Sequence, residues 1–401
     1  MLFAPIAERL NAIPRPASAD NPQPGSRRMR RLPAIDAARG TAMVLVCLSH
    51  FTAKYIAPAG GEGPWMWLRV VAHIASPMFF IISGTMVGYL FAARPDAFDR
   101  VRATLARRAL FFLTVGHLLI LIAHVRTRAD LTGSARMLFV TDTIALALLV
   151  SPRLLHFSAR QRLIGAAAVY TASCALVYLW DPHGLALRIF KDTMIGPEGE
   201  GFWSYNVPVL PWLAVHAAGT VLGARLAEAS STSGRLRFEA QLASLGFGLV
   251  AAGVVLRTLG LSLVSHIMTP GARDALVARQ LASPWQRFPP SPVHLMVFTG
   301  LALLGISAVF IVERLGIFTR LIAWLAVLGE TSAFVFVLQF YVFYEFVPRL
   351  IPLRLELSPI VFIGAMLTIG VAARLWRAQR SRFTRPSWFV TPPAAIPAPK
   401  A

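Results

Sequence analysis

The stretch Ala34-Ile-Asp-Ala-Ala-Arg39-Gly-Thr-Ala-Met43-Val-Leu-Val-Cys47-Leu-Ser-His50 is apolar over most of its length, yet it carries an arginine and a histidine eleven residues apart. At ~100° per residue, eleven steps make about three helical turns plus roughly 20°, so Arg39 and His50 share one helix face. At ~1.5 Å per residue they stand roughly 16 Å apart, about half the thickness of a bilayer core. Ionisable side chains in a membrane are costly and mark functional sites. An arginine near one surface and a histidine near the other therefore point to chemistry that reaches across a membrane.

The rest of the chain agrees with a membrane setting. Its 401 residues are 56% hydrophobic and 14% charged, with a mean hydropathy of +0.60, against roughly 25% charged in soluble domains. The fold class read from this is all-α, a polytopic membrane protein of about ten transmembrane helices. The spans run roughly over residues 34–57, 65–93, 109–125, 137–151, 163–180, 207–227, 240–266, 293–312, 321–347 and 357–373, the fourth being short. With the N-terminus inside, the inner segments receive 25 of the 39 Lys and Arg residues and the outer ones 12. By the positive-inside rule both termini are cytoplasmic, Arg39 lies near the cytoplasmic face and His50 near the outer one. Residues 1–33 lack the apolar core of a signal peptide and read as a disordered basic tail. Residues 34–376 form the membrane domain, and residues 377–401 a basic, Pro-rich cytoplasmic tail.

The net charge of +20 does not mark a nucleic-acid binder. The excess is arginine at the ends of apolar runs, without an aromatic-interleaved basic patch. Cys47 and Cys174 imply neither a disulfide framework nor a metal site. The histidines are scattered, so no metal is expected, and no nucleophile elbow, Walker loop or dinucleotide fingerprint appears. Two outer loops, Asp181–Asn206 and Met268–Pro292, are long enough to be functional lids.

In the second span, small residues at Ser83, Gly84 and Gly88 either pack against another backbone or line a narrow tunnel. Arginine suits a phosphate, which its planar fork binds bidentately, and histidine suits proton abstraction near neutral pH. His117, His124, Asp142, Arg257 and Glu330 each fit an interhelical hydrogen bond. Asp142 is the second candidate for a catalytic role, orienting a catalytic group. Trp212, where a loop meets a span, is either an aromatic-belt anchor or a platform for a sugar. Arg287, before Pro289 and Pro290, faces the outer cleft.

Taken together, Arg-x10-His in the first span and Phe79-Phe80-x-x-Ser83-Gly84 in the second resemble the membrane acyltransferase-3 superfamily. Asn206-Val-Pro-Val-Leu-Pro-Trp212 leading to Gly219 and Gly223, Pro289-Pro-Ser-Pro292, and Gly329-Glu-Thr-Ser332 are more similar to its branch related to heparan-alpha-glucosaminide N-acetyltransferase. The resemblance covers roughly residues 31–374. It implies an enzyme of the cytoplasmic (inner) membrane that takes an acyl group, acetyl by default, from cytoplasmic acyl-CoA. The acceptor would be a sugar hydroxyl or amine on an extracytoplasmic glycan or glycolipid. On this resemblance Arg39 holds the CoA end, His50 is the catalytic histidine, and the pantetheine arm threads past Met43, Cys47, Ser83 and Gly84. Trp212, Arg287 and Gln339 would contact the acceptor. Gln339 stands where family members often carry a histidine; it can hydrogen-bond an acceptor but cannot shuttle a proton at neutral pH. Two other functions fit the same stripe. A transporter or exporter of a glycan or lipid precursor would use it as a proton relay, and a non-catalytic subunit of polysaccharide assembly would use it for packing.

Overall fold

A computed structural model describes residues 32–56, 66–93, 95, 98–128, 131–229, 231–267, 273–350 and 357–383. The expected tails therefore lie largely outside the described residues. Helices make up most of the described residues. They are α1 (Pro33–Phe51), α2 (Met66–Ala72), α3 (Ala75–Ala93), α4 (Phe98–Phe111), α5 (His117–Arg128), α6 (Leu131–Ala135), α7 (Val140–Leu154), α8 (Ala159–Leu179), α9 (Leu185–Met194) and α10 (Val209–Glu228). After these come α11 (Thr232–Ile267), α12 (Arg273–Leu281), α13 (Pro292–Leu315), α14 (Thr319–Glu330), α15 (Ser332–Tyr341), α16 (Val347–Leu350) and α17 (Ser358–Phe383). Single π-helical turns prolong α1 (Thr52–Ile56), α4 (Phe112–Gly116) and α15 (Val342–Phe346). The sole sheet among the described residues is a two-residue parallel ladder, β1 (Met137–Leu138) on β2 (Tyr205–Asn206), with Met137 opposite Tyr205.

Among the described residues nine helices are long and apolar enough to cross a membrane, so the all-α polytopic class stands. The expected fourth span is the element outside that set. Helix α7 has 15 residues and reaches about 22 Å, short of a hydrocarbon core of about 30 Å. It is nonetheless buried for most of its length. Phe139, just before α7, and Tyr205, after α9, both line one cavity. The expected ninth span is broken at Thr331, whose backbone leaves helical geometry between α14 and α15.

Close backbone approach sets the packing around α1. A Cβ on Gly40 would overlap the Leu325 carbonyl of α14, and one on Gly329 would overlap the Asp36 carbonyl of α1. Only glycine permits that crossing. From it, α14 and α15 travel in the same direction as α1, so that Phe340 reaches the His50 ring, with centroids 4.6 Å apart. Helices α3 and α10 cross in the same manner. A Cβ on Gly84 would strike the His216 carbonyl, and one on Gly219 the Ile81 carbonyl. Polar pairs join the remaining helices. Ser151 Oγ and His216 Nε2 lie 2.6 Å apart between α7 and α10, and Arg314 donates to Glu239 at 3.0 Å between α13 and α11. Arg377 of α17 lies 3.7 Å from Glu330.

Candidate active site

One cavity of about 190 Å³ opens at the His50 end of α1. Val46, Ser49, His50 and Ala53 line it. They are spaced i, i+3, i+4 and i+7, which is one helix face. His50 Nδ1 lies 3.1 Å from the Tyr344 hydroxyl. Tyr344 sits in the π-helical turn after α15, and the neighbouring Glu345 anchors that turn from its other side. Glu345 accepts from Arg126 Nε at 3.0 Å and Nη2 at 2.5 Å, and Arg349 lies 3.4 Å away. Tyr341 donates to the Leu119 carbonyl at 2.8 Å, tying the same helix to α5. With Glu345 and Tyr341 so held, Tyr344 is aimed at the histidine. His124 of α5 completes this wall, its ring 5.1 Å from Phe340 and 5.2 Å from Phe139.

The opposite wall comes from the two long loops. The β1–β2 ladder docks Tyr205 beside Met137, and both side chains face the cavity. Arg287 enters between Ser49 and Tyr205. Its Nη1 donates to Ser49 Oγ at 3.3 Å, and its guanidinium lies 4.6 Å over Phe288. The Phe288 ring in turn meets Tyr205 at 5.6 Å and Trp212 at 6.2 Å. Hydrogen bonds fix the arginine's segment. Tyr170 donates to the Pro290 carbonyl at 3.0 Å, and Ser291 N donates to the Gln286 carbonyl at 2.9 Å. His294 Nδ1 contacts the Pro284 carbonyl at 2.7 Å. Burial pushes the Tyr205 phenol above its ordinary pKa, while the Arg287 charge pulls it back. Among the described residues no carboxylate lines the cavity. A histidine held by a phenol, facing a guanidinium in a largely apolar enclosure, is equipped to take a proton from a polar acceptor and to hold that acceptor in place.

A sequence model of the heparan-alpha-glucosaminide N-acetyltransferase catalytic domain matches residues 31–269, more than half of the chain. The chain belongs to that family. No curated protein matches it significantly. Acyltransferase chemistry in a multi-pass membrane protein follows from membership. The match covers α1 to α11, hence His50, His124 and Tyr205; Arg287 and Tyr344 lie beyond it.

The other residues singled out in the sequence fall into three groups. Arg287 joins His50 at the cavity, as expected of a residue facing a cleft. Asp142 does not reach His50. Its Oδ2 lies 2.9 Å from His117 Nδ1 and accepts from Phe139 N at 2.9 Å, so it fixes the start of α7 and, through Phe139, the cavity wall. It does not pair with Arg257, which is exposed on α11. Trp212 is neither a belt anchor nor a platform open to the cavity. It is wholly buried and stacked on Phe80 at 5.0 Å.

The tunnel expected past Met43, Cys47, Ser83 and Gly84 is closed by packing. Met43 and Cys47 are fully buried, and Cys47 stands about 60° round the helix from His50. The face of Gly84, next to Ser83, is filled by the α10 backbone. Arg39 lies away from the cavity, where the charges of Asp36 and Arg108 act on it. Gln339 is fully buried next to Phe340, and neither polar atom of its amide has a hydrogen-bond partner among the described residues. Among the described residues no cluster of three or more His, Cys, Asp or Glu side chains is placed to hold a metal.

Tyr344 and Tyr205 are the site residues that sequence reading missed. A tyrosine in an apolar run carries no signal of its own. The usable clue was its company, Tyr341-Val-Phe-Tyr344-Glu345, where a carboxylate late in an apolar span calls for a cation and thereby fixes which way the turn faces.

Proposed function

We propose that this chain transfers an acyl group, acetyl by default, from cytoplasmic acyl-CoA to a hydroxyl or amine of a sugar at the outer face of the cytoplasmic membrane. The contact between His50 and Tyr344 in the cavity carries the reading. When Nδ1–H donates to the Tyr344 oxygen, Nε2 keeps its lone pair and is the base. It takes the proton from the acceptor as the acceptor oxygen or nitrogen attacks the thioester carbonyl. The carbon–sulfur bond then breaks, and the proton passes to the departing CoA thiolate. Transfer is direct, because Cys47, the nearest thiol, is buried away from the cavity. The high Lys and Arg count on the Arg39 side supports placing that side in the cytoplasm.

Arg39 anchors the donor phosphates at the far end of α1. The closed packing at Met43 and Cys47 makes entry of the acyl arm the step that requires helices to part. Gln339, whose amide has no hydrogen-bond partner among the described residues, is assigned to the acceptor.

Acetyl-CoA binding to the detergent-purified protein, followed by calorimetry, tests the reading. Arg39→Ala is expected to lose at least tenfold in affinity, about 1.4 kcal/mol, whereas His50→Ala keeps the wild-type Kd. A folded wild type that binds no acyl-CoA would sink the acyltransferase reading and favour transport. Tyr344→Phe is expected to lower kcat about tenfold, the effect of one hydrogen bond to the base. It should shift the pH profile of kcat and leave the donor Kd unchanged. An unaltered pH profile would show that Tyr344 serves packing alone.

A further inference from the structure

Helix α9 is amphipathic, and it is turned the opposite way from a helix packed on a water-soluble core. At ~100° per residue, Leu185, Ile189, Ala186, Phe190 and Leu187 spread over one side, and Lys191, Arg188 and Asp192 occupy the other. Lys191 and Asp192 are 6% and 2% exposed, whereas Leu185, Leu187 and Phe190 are 66%, 53% and 52% exposed. The helix shows its apolar side outward and sets Lys191 and Asp192 against the protein.

Hydrogen bonds account for the polar side being inside. Lys191 Nζ donates to the Val177 carbonyl of α8 at 3.0 Å. That carbonyl lies in the last turn of α8, where carbonyls lack helical partners and a cation suits the helix dipole. Asp192 Oδ2 accepts from Phe202 N at 2.6 Å, and the Asp192 carbonyl accepts from Asn206 Nδ2 at 2.6 Å. Trp203 Nε1 donates to Thr193 Oγ1 at 3.0 Å. Helix α9 thus holds the β2 segment, which carries Tyr205 to the cavity.

Depth decides what covers the apolar side. Ile195, the residue after α9, shares a crevice with Ser173, Cys174 and Val177 of α8. Ser173 lies six residues before the end of α8, about 9 Å at ~1.5 Å per residue. Helix α9 therefore runs back beside the last turns of α8 rather than continuing beyond them. Helix α8 is itself a span of membrane length with Leu176 and Leu179 exposed. Trp180, at its end, meets Phe190 with ring centroids 6.4 Å apart. The apolar side of α9 continues this lipid-facing surface, with an aromatic residue of the interfacial kind at the join.

We propose that α9 is an interfacial membrane helix. Leu185, Leu187 and Phe190 are embedded in the lipid of the leaflet on the His50 side, and the polar side moors the Tyr205 wall of the cavity to that surface. The proposal goes beyond the acyltransferase reading and does not rest on it.

The test uses full-length protein in phosphatidylcholine vesicles, with Cys47→Ala and Cys174→Ser removing the native thiols. Single cysteines enter as Leu187→Cys, Phe190→Cys, Leu176→Cys and Glu200→Cys and carry an environment-sensitive fluorophore. Leu176 on α8 is the lipid reference and the exposed Glu200 the water reference. Quenching is measured with nitroxide-labelled phosphatidylcholine and with aqueous iodide, and thermal shift checks that each labelled protein is folded. Labels at 187 and 190 are expected to match the Leu176 label with the nitroxide lipid. Iodide should quench them several-fold less than it quenches the Glu200 label.

Labels at 187 and 190 that iodide quenches as strongly as the Glu200 label place this side in water and overturn the proposal. Protection from both quenchers overturns it too, because a second copy or another protein would then cover the helix. Neither readout requires acyl transfer, so this proposal and the acyltransferase reading fail separately.

Discussion

Replacement of His50 by alanine is expected to lower acetyl transfer by about 10²- to 10⁴-fold, the range a positioned general base supplies, while leaving the protein folded. Its ring borders a cavity, so truncation enlarges a space that already exists instead of opening a void in packed core. The hydrogen bond to Tyr344 that the truncation removes is worth about 1 kcal/mol. His50→Gln makes the sharper variant, because glutamine can still reach Tyr344 and cannot accept a proton at neutral pH. Both variants should fail in transfer and bind acetyl-CoA as the wild type does. Cys47→Ala should transfer normally, since that thiol sits in apolar core. A histidine variant with more than a tenth of wild-type kcat, or an inactive but folded Cys47→Ala, would move the chemistry from the base to an acyl-cysteine.

The largest stability effect is expected at the crossing of α1 and α14. Gly329→Val places its side chain where the Asp36 carbonyl stands, and Gly40→Val meets the Leu325 carbonyl. The neighbours are backbone atoms, which cannot rotate aside, so the helices must separate. Overpacking of this kind costs about 1–3 kcal/mol and occasionally more. Each valine variant is expected at the upper end, with a clear fall in thermal stability in detergent and with His50 and Phe340 drawn apart. Gly364→Ala provides the contrast. Nothing stands within 4 Å of its added Cβ, and alanine gains about 1 kcal/mol of helix propensity over glycine. Equal stability of Gly329→Val and Gly364→Ala would refute the close crossing.

Most of the architecture was legible in the sequence because lipid imposes a simple rule on it. Apolar runs of membrane length become helices, and charges gather at their ends. Helix α7 escaped that rule because a buried helix screened by protein need not span the full bilayer, and the break at Thr331 has no proline to announce it.

Within the site, His50 was visible because an ionisable side chain in an apolar run is conspicuous, and Arg287 because it precedes a proline pair in a long loop. Residues whose roles depend on partners far along the chain were not visible. Trp212 looked interfacial at the junction of loop and span, yet its depth is set by Phe80 from another helix. Asp142 looked available to orient a base, yet His117, 25 residues away, claims it. The small residues around Gly84 allowed both a tunnel and a helix crossing. Spacing alone does not separate the two, and α10 fills the space.

The short β1–β2 ladder divides labour between positions in a way that bears on how the site can change. Backbone groups hold the two loops together, and successive side chains in a strand point to opposite sides. Met137 and Tyr205 turn toward the cavity, whereas Leu138 and Asn206 do not. Because main-chain atoms make the joint, the side chains at 137 and 205 are free to vary without unfastening it. This pair is therefore where a lineage, or an engineer, can retune which acceptor fits while the base, its phenol partner and the surrounding scaffold stay as they are.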